Sequence, residues 1–433
     1  MSETPGRVEP FGPSSHPEIA HDDKLNAGSH QRASRNAGSH SVGPASFRAS
    51  TQLWLSRVAL TNYRNYATAT IEVGPRPVVL LGPNGAGKTN LLEAVSLLVP
   101  GSGLKRAGYA ELARMGGTGD WAVAARVVSR GGTIEIGTGQ RTASVGEAQR
   151  QGRIVRIDGE NVGAGTLAEH VDMVWLTPAM DGLFTGARAD RLAFLDRLVL
   201  CFDAGHALSS ARFERAMRQR NRLLEDGGDR VLLEGLEMQM AEAGVAIAAA
   251  RLEAVAALQA HSEARRERDA TSAFPWFTLT IEGSLESELA SDAAVDVEDR
   301  YRARLGACRE RDRGAGRTLE GPHRTDLIAG HGPKAMPARL CSTGEQKALL
   351  MGLVLAHASL IAERREGASP ILLLDEIAAH FDEQRRAAMF EEILALGTQA
   401  WMTGTDPSAF ATLAGRAHFA RVEGASVRLE AAR

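Results

Sequence analysis

Cysteine is scarce in this chain. Three occur in 433 residues (Cys201, Cys308 and Cys341), far apart and without a C-x-x-C pair. That excludes a disulfide framework and a zinc ribbon and suits a reducing compartment. Long apolar runs are missing too. No stretch approaches the roughly 18 residues needed to cross a bilayer, and the N-terminus lacks the apolar core of a signal peptide. The expectation is a soluble, cytoplasmic protein with no membrane partner. Neither sign of charge is in excess: 50 Lys and Arg stand against 53 Asp and Glu, a net charge of −3. A nucleic-acid surface must therefore come from local clustering, not bulk charge. Aromatic residues make up 5%. No ladder of them is available for stacking on single-stranded bases, which favours duplex or junction DNA over a bare strand.

Large apolar residues are nearly absent from residues 1–50, which are rich in Ser, Gly, Pro, His and Asn and repeat Asn-Ala-Gly-Ser-His at 26–30 and 36–40. Such a segment cannot bury enough surface to offset its ordering entropy, so a disordered tail is expected there.

What is present begins with Val78 to Leu81, a short apolar run that reads as a buried parallel strand. It enters Gly82-Pro83-Asn84-Gly85-Ala86-Gly87-Lys88-Thr89 and then a helical period at Leu91, Leu92, Val95 and Leu98. The loop fits G-x-x-x-x-G-K-[ST], the phosphate-binding loop. Its glycines let backbone N–H groups curl around phosphate oxygens, and the helix start adds its positive dipole end. Lys88 reaches the terminal phosphates and the Thr89 hydroxyl can ligate Mg²⁺. This predicts a nucleotide site.

Upstream, two strands are expected around Leu53–Leu60 and Ala69–Val73, joined through Asn62-Tyr63-Arg64-Asn65-Tyr66. Downstream, the glycine-rich loop at 101–107 carries Lys105 and Arg106. From Trp121 to Leu176, alternating segments broken by Gly and Asp predict an antiparallel meander beside the nucleotide strand. From Arg188 to Arg268 the period is helical and arginine is dense, with a short strand near Trp276–Ile281 and another helix over Val295–Arg311. This reads as a helical lobe inserted into the first: residues 51–185 and 318–433 form one lobe and 186–317 the other. The overall class is α/β.

Near Ser342 the nucleotide machinery resumes. Ser342 and Glu345 have the spacing of a capping box opening a helix. Ile371 to Leu374 is an apolar strand ending in Asp375-Glu376. A buried strand can deliver one carboxylate to Mg²⁺, and the next acid can orient or deprotonate an attacking water.

The order of phosphate loop, Ser342-Thr343-Gly344-Glu345-Gln346-Lys347 at a helix start, and four apolar residues before Asp375-Glu376 resembles the ABC-type ATPases. That resemblance implies a P-loop ATPase head with a mixed sheet, and a site completed across an ATP-dependent homodimer. In it Ser342, Gly344 and Gln346 of one copy meet the ATP of the other, and Asp382 lies at the interface. The phosphate loop and Ser342 are separated by more than half the chain. This excludes a transporter subunit, which also needs a switch histidine; here Thr403-Gly404-Thr405-Asp406 follows the last strand. The 186–317 insertion is too short and lacks the sustained heptads of the long-coiled-coil chromosome tethers. An attached nuclease would need a further carboxylate cluster, and a GTPase an Asn-Lys-x-Asp motif.

Leu60 to Tyr66, Trp175-Leu176-Thr177-Pro178, Asp190 to Asp196, Gly321 to Leu327 and Ser342 to Lys347 resemble the RecF family of bacterial recombination mediators. The resemblance covers about residues 53–430. It implies ATP and Mg²⁺ as cofactors and binding to DNA gaps and single-strand–double-strand junctions. It also implies cooperation with RecO and RecR in placing RecA, in recombinational repair, replication restart and the SOS response, on the nucleoid. Glu376 is then the general base, Lys88 and Ser342 catalytic partners, and Thr89 and Asp375 the metal ligands. Arg64, Lys105 and Arg106 are the candidate DNA contacts, to phosphate and so salt-sensitive. Hydrolysis without a switch histidine suits a slow timer.

Overall fold

The computed structural model describes residues 52–141, 152–268 and 272–430; the expected tail at 1–50 lies outside them. Continuous apolar runs become buried parallel strands, as their lack of alternation requires. β1 (Trp54–Tyr63) and β2 (Tyr66–Glu72) form a hairpin, and β3 (Val78–Leu81) leads through the phosphate loop into α1 (Lys88–Ser96). β4 (Trp121–Ser129), β5 (Gly132–Gln140), β6 (Ile154–Ile157), β7 (Glu160–Val162) and β8 (Met173–Leu176) follow. Next come α2 (Arg188–Phe202), α3 (Gly205–Glu225), α4 (Arg230–Arg268), β9 (Phe277–Glu282), α5 (Ser284–Leu289), α6 (Ala294–Ala307) and α7 (Arg309–Gly314). The chain ends with β10 (Asp326–His331), β11 (Met336–Pro337), α8 (Thr343–Arg364), β12 (Ile371–Leu374), α9 (Glu383–Leu396), β13 (Ala400–Gly404), β14 (His418–Glu423) and β15 (Ser426–Leu429).

The nucleotide sheet has the order β15-β14-β3-β13-β12-β8. Its pairs are parallel except β14–β15. A second, antiparallel sheet runs β2-β1-β4-β5-β6-β7. One expectation is corrected here: Met173–Leu176 is not the last strand of the meander. It pairs parallel with β12 as an edge of the nucleotide sheet, because its run Met-Val-Trp-Leu buries both faces whereas the meander strands alternate.

The two faces of the nucleotide sheet seed two cores. Val79, Leu81, Leu372, Leu374 and Met402 face α8, α2 and α9. Val78, Leu80, Ile371, Leu373 and Trp401 face α1 and the antiparallel sheet. Residues alternating along one strand thus serve different layers.

The insertion does not separate cleanly at residues 186 and 317. Leu195 and Leu198 of α2, Leu258 of α4 and Phe277 of β9 belong to the same core as α8, and β9 pairs antiparallel with β10. Only its outer part has a core of its own, with Phe213, Met240, Ile247, Val297 and Tyr301. The link between the two is α4, which at 39 residues is roughly 60 Å long. The arginines of the insertion divide. Arg220 is fully buried, held by Glu237, Asp312, Thr318 and the carbonyl of Leu305. Arg265 pairs with Glu392, so neither belongs to a solvated basic stripe.

His357 of α8 shows the cost of burial in this core. Its Nε2–H donates to the carbonyl of Leu198 at 3.0 Å, and its ring lies edge-on to Phe202. Burial drives its pKa down from 6.5 to about 4, against the smaller opposing effect of that hydrogen bond. The unfolded chain then binds a proton that the folded chain refuses between those values. Stability is full above about pH 6.5 and falls as pH drops toward 4, by about 3 kcal/mol. The variant His357→Gln should flatten that acid limb, as read by urea unfolding at each pH.

Candidate nucleotide site

β3 delivers the phosphate loop, and neighbouring elements press on it from both sides. A Cβ at Gly82 would lie 2.1 Å from the carbonyl oxygen of Val422 on β14. Gly87 has φ 111°, and a Cβ there would meet Asn65 and the Tyr66 hydroxyl. Both glycines are therefore demanded by the fold around the loop as well as by a ligand. Tyr66 donates its hydroxyl proton to the Gly87 carbonyl at 3.0 Å, and Asn65 donates to the Ala86 carbonyl at 3.2 Å.

Asn84, Gly85, Gly87, Lys88, Thr89, Asn90, Lys105 and Glu376 line one concave site. Gly82, Pro83 and Ala86 are not among its lining residues; their carbonyls accept from Lys88 and Asn65. The ammonium of Lys88 donates to the carbonyls of Gly82 and Pro83 at 2.6 and 2.9 Å. Burial pushes its pKa down, opposed by the charges of Glu376 and Asp375. The Thr89 hydroxyl sits 3.0 and 3.1 Å from the two carboxylate oxygens of Asp375, at the end of β12. Sequence positions 286 residues apart meet because β3 and β12 flank β13 in one sheet.

A hydroxyl and a carboxylate are hard oxygen donors, the chemistry Mg²⁺ takes. Among the described residues no group of three or more His, Cys, Asp and Glu could hold a metal. Mg²⁺ is commonly held by one or two protein oxygens together with those of a phosphate, and Thr89 and Asp375 could supply such a pair. Glu376 follows Asp375 with φ 50° and lines the cavity, its charge acting on Lys88.

Ser342 and Gly344 are elsewhere. Ser342 caps α8 in a complete capping box with Glu345, and Ser342, Thr343 and Gly344 are exposed. None lines the cavity. Gln346 does not fit the expected nucleotide contact: it is buried, and its amide donates to the carbonyl of Cys341 at 2.8 Å. It closes the first turn of α8, where the helix passes from an exposed start at Ser342–Gly344 into a stretch buried on nearly every side. Asp382 caps α9 by accepting from the N–H of Arg385.

The DNA candidates also sort differently. Arg64 is committed inside the fold, donating to both oxygens of buried Glu93 at 2.8 and 2.6 Å and to the carbonyl of Glu111. A charge-assisted bidentate pair of this kind leaves no free fork for phosphate, so Arg64 is corrected to a structural role. Lys105 donates to Asn90 Oδ1 at 3.0 Å on the rim of the nucleotide cavity. Arg106 pairs with Asp190 of α2, both exposed. Asn65, Asn90 and Thr403 were not foreseen. Asn90 adjoins Thr89 in sequence and was within reach of the motif; the other two arrive only through the tertiary fold.

Comparison with known proteins accords with this geometry. The family model described as the RecF/RecN/SMC N terminal domain matches residues 54–411. A protein of Mesorhizobium japonicum named DNA replication and repair protein RecF is 55% identical over 378 residues, 87% of this chain and 98% of that protein. The chain belongs to the RecF family. Relatives of the same name from Rhizobium johnstonii and Brucella suis are each 52% identical, over 84% and 85% of this chain and 96% and 94% of theirs. A solved structure described as the recombination mediator protein RecF with ATP in the RecFOR pathway has a TM-score of 0.73. It covers 89% of this RecF-family chain and 99% of its own at 21% identity, a likeness of fold. Among the described residues no helix is long and apolar enough to cross a membrane.

Proposed function

We propose that this RecF-family chain is an ATP-dependent DNA-binding protein of recombinational repair, whose ATPase site is completed across a homodimer. Lys88 and the loop amides hold the phosphates. Thr89 and Asp375 would hold Mg²⁺, which when bound offsets charge on the phosphate oxygens. Glu376 orients and deprotonates the attacking water. The observation that carries the reading is a separation. The phosphate loop and Glu376 line one cavity and buried Asp375 reaches it through the Thr89 hydroxyl, whereas the exposed Ser342 and Gly344 lie off it.

Gly344 sharpens the point. It sits in the first turn of α8, its φ is not positive, and a Cβ there would meet nothing within 4 Å. A glycine in a helix costs about 1 kcal/mol relative to alanine. The fold of this chain does not require it; close approach of a second copy's triphosphate to the helix start does. The relatives' shared name, DNA replication and repair protein RecF, supports action on DNA in repair, and gaps and single-strand–double-strand junctions are the place of action we propose. The RecFOR pathway named for the solved structure supports RecO and RecR as partners, and loading of RecA is the step we propose they share. Slow hydrolysis then sets how long the clamp persists. Lys105 and Arg106 are the remaining candidates for DNA phosphate contacts.

Sedimentation of the wild type and Lys88→Met, with and without ATP and gapped DNA, tests this. ATP should dimerise the wild type, while Lys88→Met should remain monomeric with at least tenfold weaker ATP binding, the loss of one charge-assisted hydrogen bond. A wild type that stays monomeric with saturating ATP and DNA would sink the composite-site reading.

A further inference from the structure

One buried hydroxyl touches both acids of the site. Thr403 is fully buried at the end of β13. Its Oγ1 lies 2.8 Å from Asp375 Oδ1 and 2.8 Å from the backbone nitrogen of Glu376. A hydroxyl carries one proton and two lone pairs. The N–H of Glu376 can only donate, so Oγ1 accepts from it and gives its own proton to the Asp375 carboxylate. Asp375 thereby receives two hydroxyls, from Thr89 and from Thr403.

The strand register places Thr403 there. β12 and β13 pair in parallel with Leu374 opposite Met402, so Asp375, the residue just past β12, lies beside Thr403, which still pairs with Leu80 of β3. Glu376 then enters the left-handed region at φ 50°, where a side chain other than glycine is strained and persists only if its surroundings hold it. The bond from its N–H to Thr403 is such a hold. Valine would fill the same space and suit a strand equally well, without a hydroxyl that must be satisfied in a buried site. The fold of β13 therefore has no need of this oxygen, whereas the two acids do.

We propose that Thr403 is a positioning residue of the ATPase site. It fixes the carboxylate of Asp375 for the metal and the backbone of Glu376 for the attacking water, so that the two acids act as one rigid unit. The inference rests on the roles given above to Asp375 and Glu376.

The test compares wild type, Thr403→Val, Thr403→Ser and Glu376→Gln. ATP turnover is measured against Mg²⁺ concentration, Mn²⁺ binding in the presence of ATP by electron paramagnetic resonance, and binding of a fluorescent ATP analogue in EDTA. Thermal unfolding is followed alongside. For Thr403→Val, Mn²⁺ affinity and turnover should each fall about 10- to 100-fold, the range for losing an outer-shell partner of a metal ligand. Metal-free nucleotide binding should stay at the wild-type value, the unfolding temperature should fall by only a few degrees, about what one unpaired N–H costs, and Thr403→Ser should restore both losses.

Wild-type turnover and Mn²⁺ affinity in Thr403→Val would overturn the proposal. So would equal impairment of Thr403→Ser and Thr403→Val together with lost metal-free binding and early unfolding, which would mark a packing role. Failure of the underlying reading looks different: Glu376→Gln would then hydrolyse ATP at the wild-type rate. The Mn²⁺ measurement would still decide whether Thr403 orients Asp375.

Discussion

Glu376→Gln is expected to lower ATP turnover by about 10²- to 10⁴-fold, the contribution of a positioned general base, while leaving ATP binding intact. The change removes a base and little else. Glutamine keeps the length of the side chain, and the contact that fixes residue 376 is made by its backbone N–H to Thr403, not by its carboxylate. Glu376 lines the cavity with Lys88 and Thr89, and its charge acts on Lys88. Binding without turnover should let the ATP-bound dimer accumulate on gapped DNA, in contrast to Lys88→Met, which should form no such dimer. Single-turnover hydrolysis with radiolabelled ATP, paired with sedimentation, reads both effects. Turnover within a few-fold of the wild type would remove Glu376 from the mechanism.

Arg220→Met should be the most damaging single change to the helical part of the fold, with a loss of about 3–5 kcal/mol. Arg220 is completely buried and makes bonds to Glu237, Asp312, Thr318 and the Leu305 carbonyl at 2.7–3.1 Å. These groups come from α4, α6, α7 and the segment after α7, so one guanidinium ties together elements that the small outer core holds only in part. Methionine fills much of the space but leaves two buried carboxylates short of a cation. Glu237 retains Arg309, at 2.9 and 2.5 Å, whereas Asp312 keeps the N–H of Leu319 at 3.2 Å and, for a cation, only a long contact to Arg311 at 3.9 Å. A double change, Arg220→Met with Asp312→Asn, should recover part of the loss, because it removes the charge left without its partner while keeping the Glu237–Arg309 pair. Denaturant unfolding followed by circular dichroism measures this. Arg220→Met at wild-type stability would show that water or rearrangement satisfies the two acids.

Three features of the site were legible in the order of residues alone. The phosphate loop is contiguous, and its glycines, lysine and threonine act through local backbone geometry. The capping box at Ser342 spans one helical turn. The apolar run Ile371–Leu374 ending in two acids announces a buried strand and what it delivers. Short-range rules suffice where the chemistry lies within one turn or one strand. The family resemblance rested on the same contiguous motifs.

Tertiary packing decided the rest. A short apolar run such as Met173–Leu176 does not name its partner strand, because periodicity reports burial and not neighbours; the three-dimensional fold pairs it with β12. The arginines read alike along the chain. Folding buries Arg220, commits Arg64 to Glu93 and leaves Arg106 on the surface with Asp190. Gln346 lies inside a motif yet faces inward, since its place along α8 and not motif membership sets its burial. Thr403, far along the chain from the phosphate loop, reaches Asp375 only because β3, β13 and β12 lie side by side. Contacts between strands depend on sheet order and register, which local residue patterns do not encode by themselves.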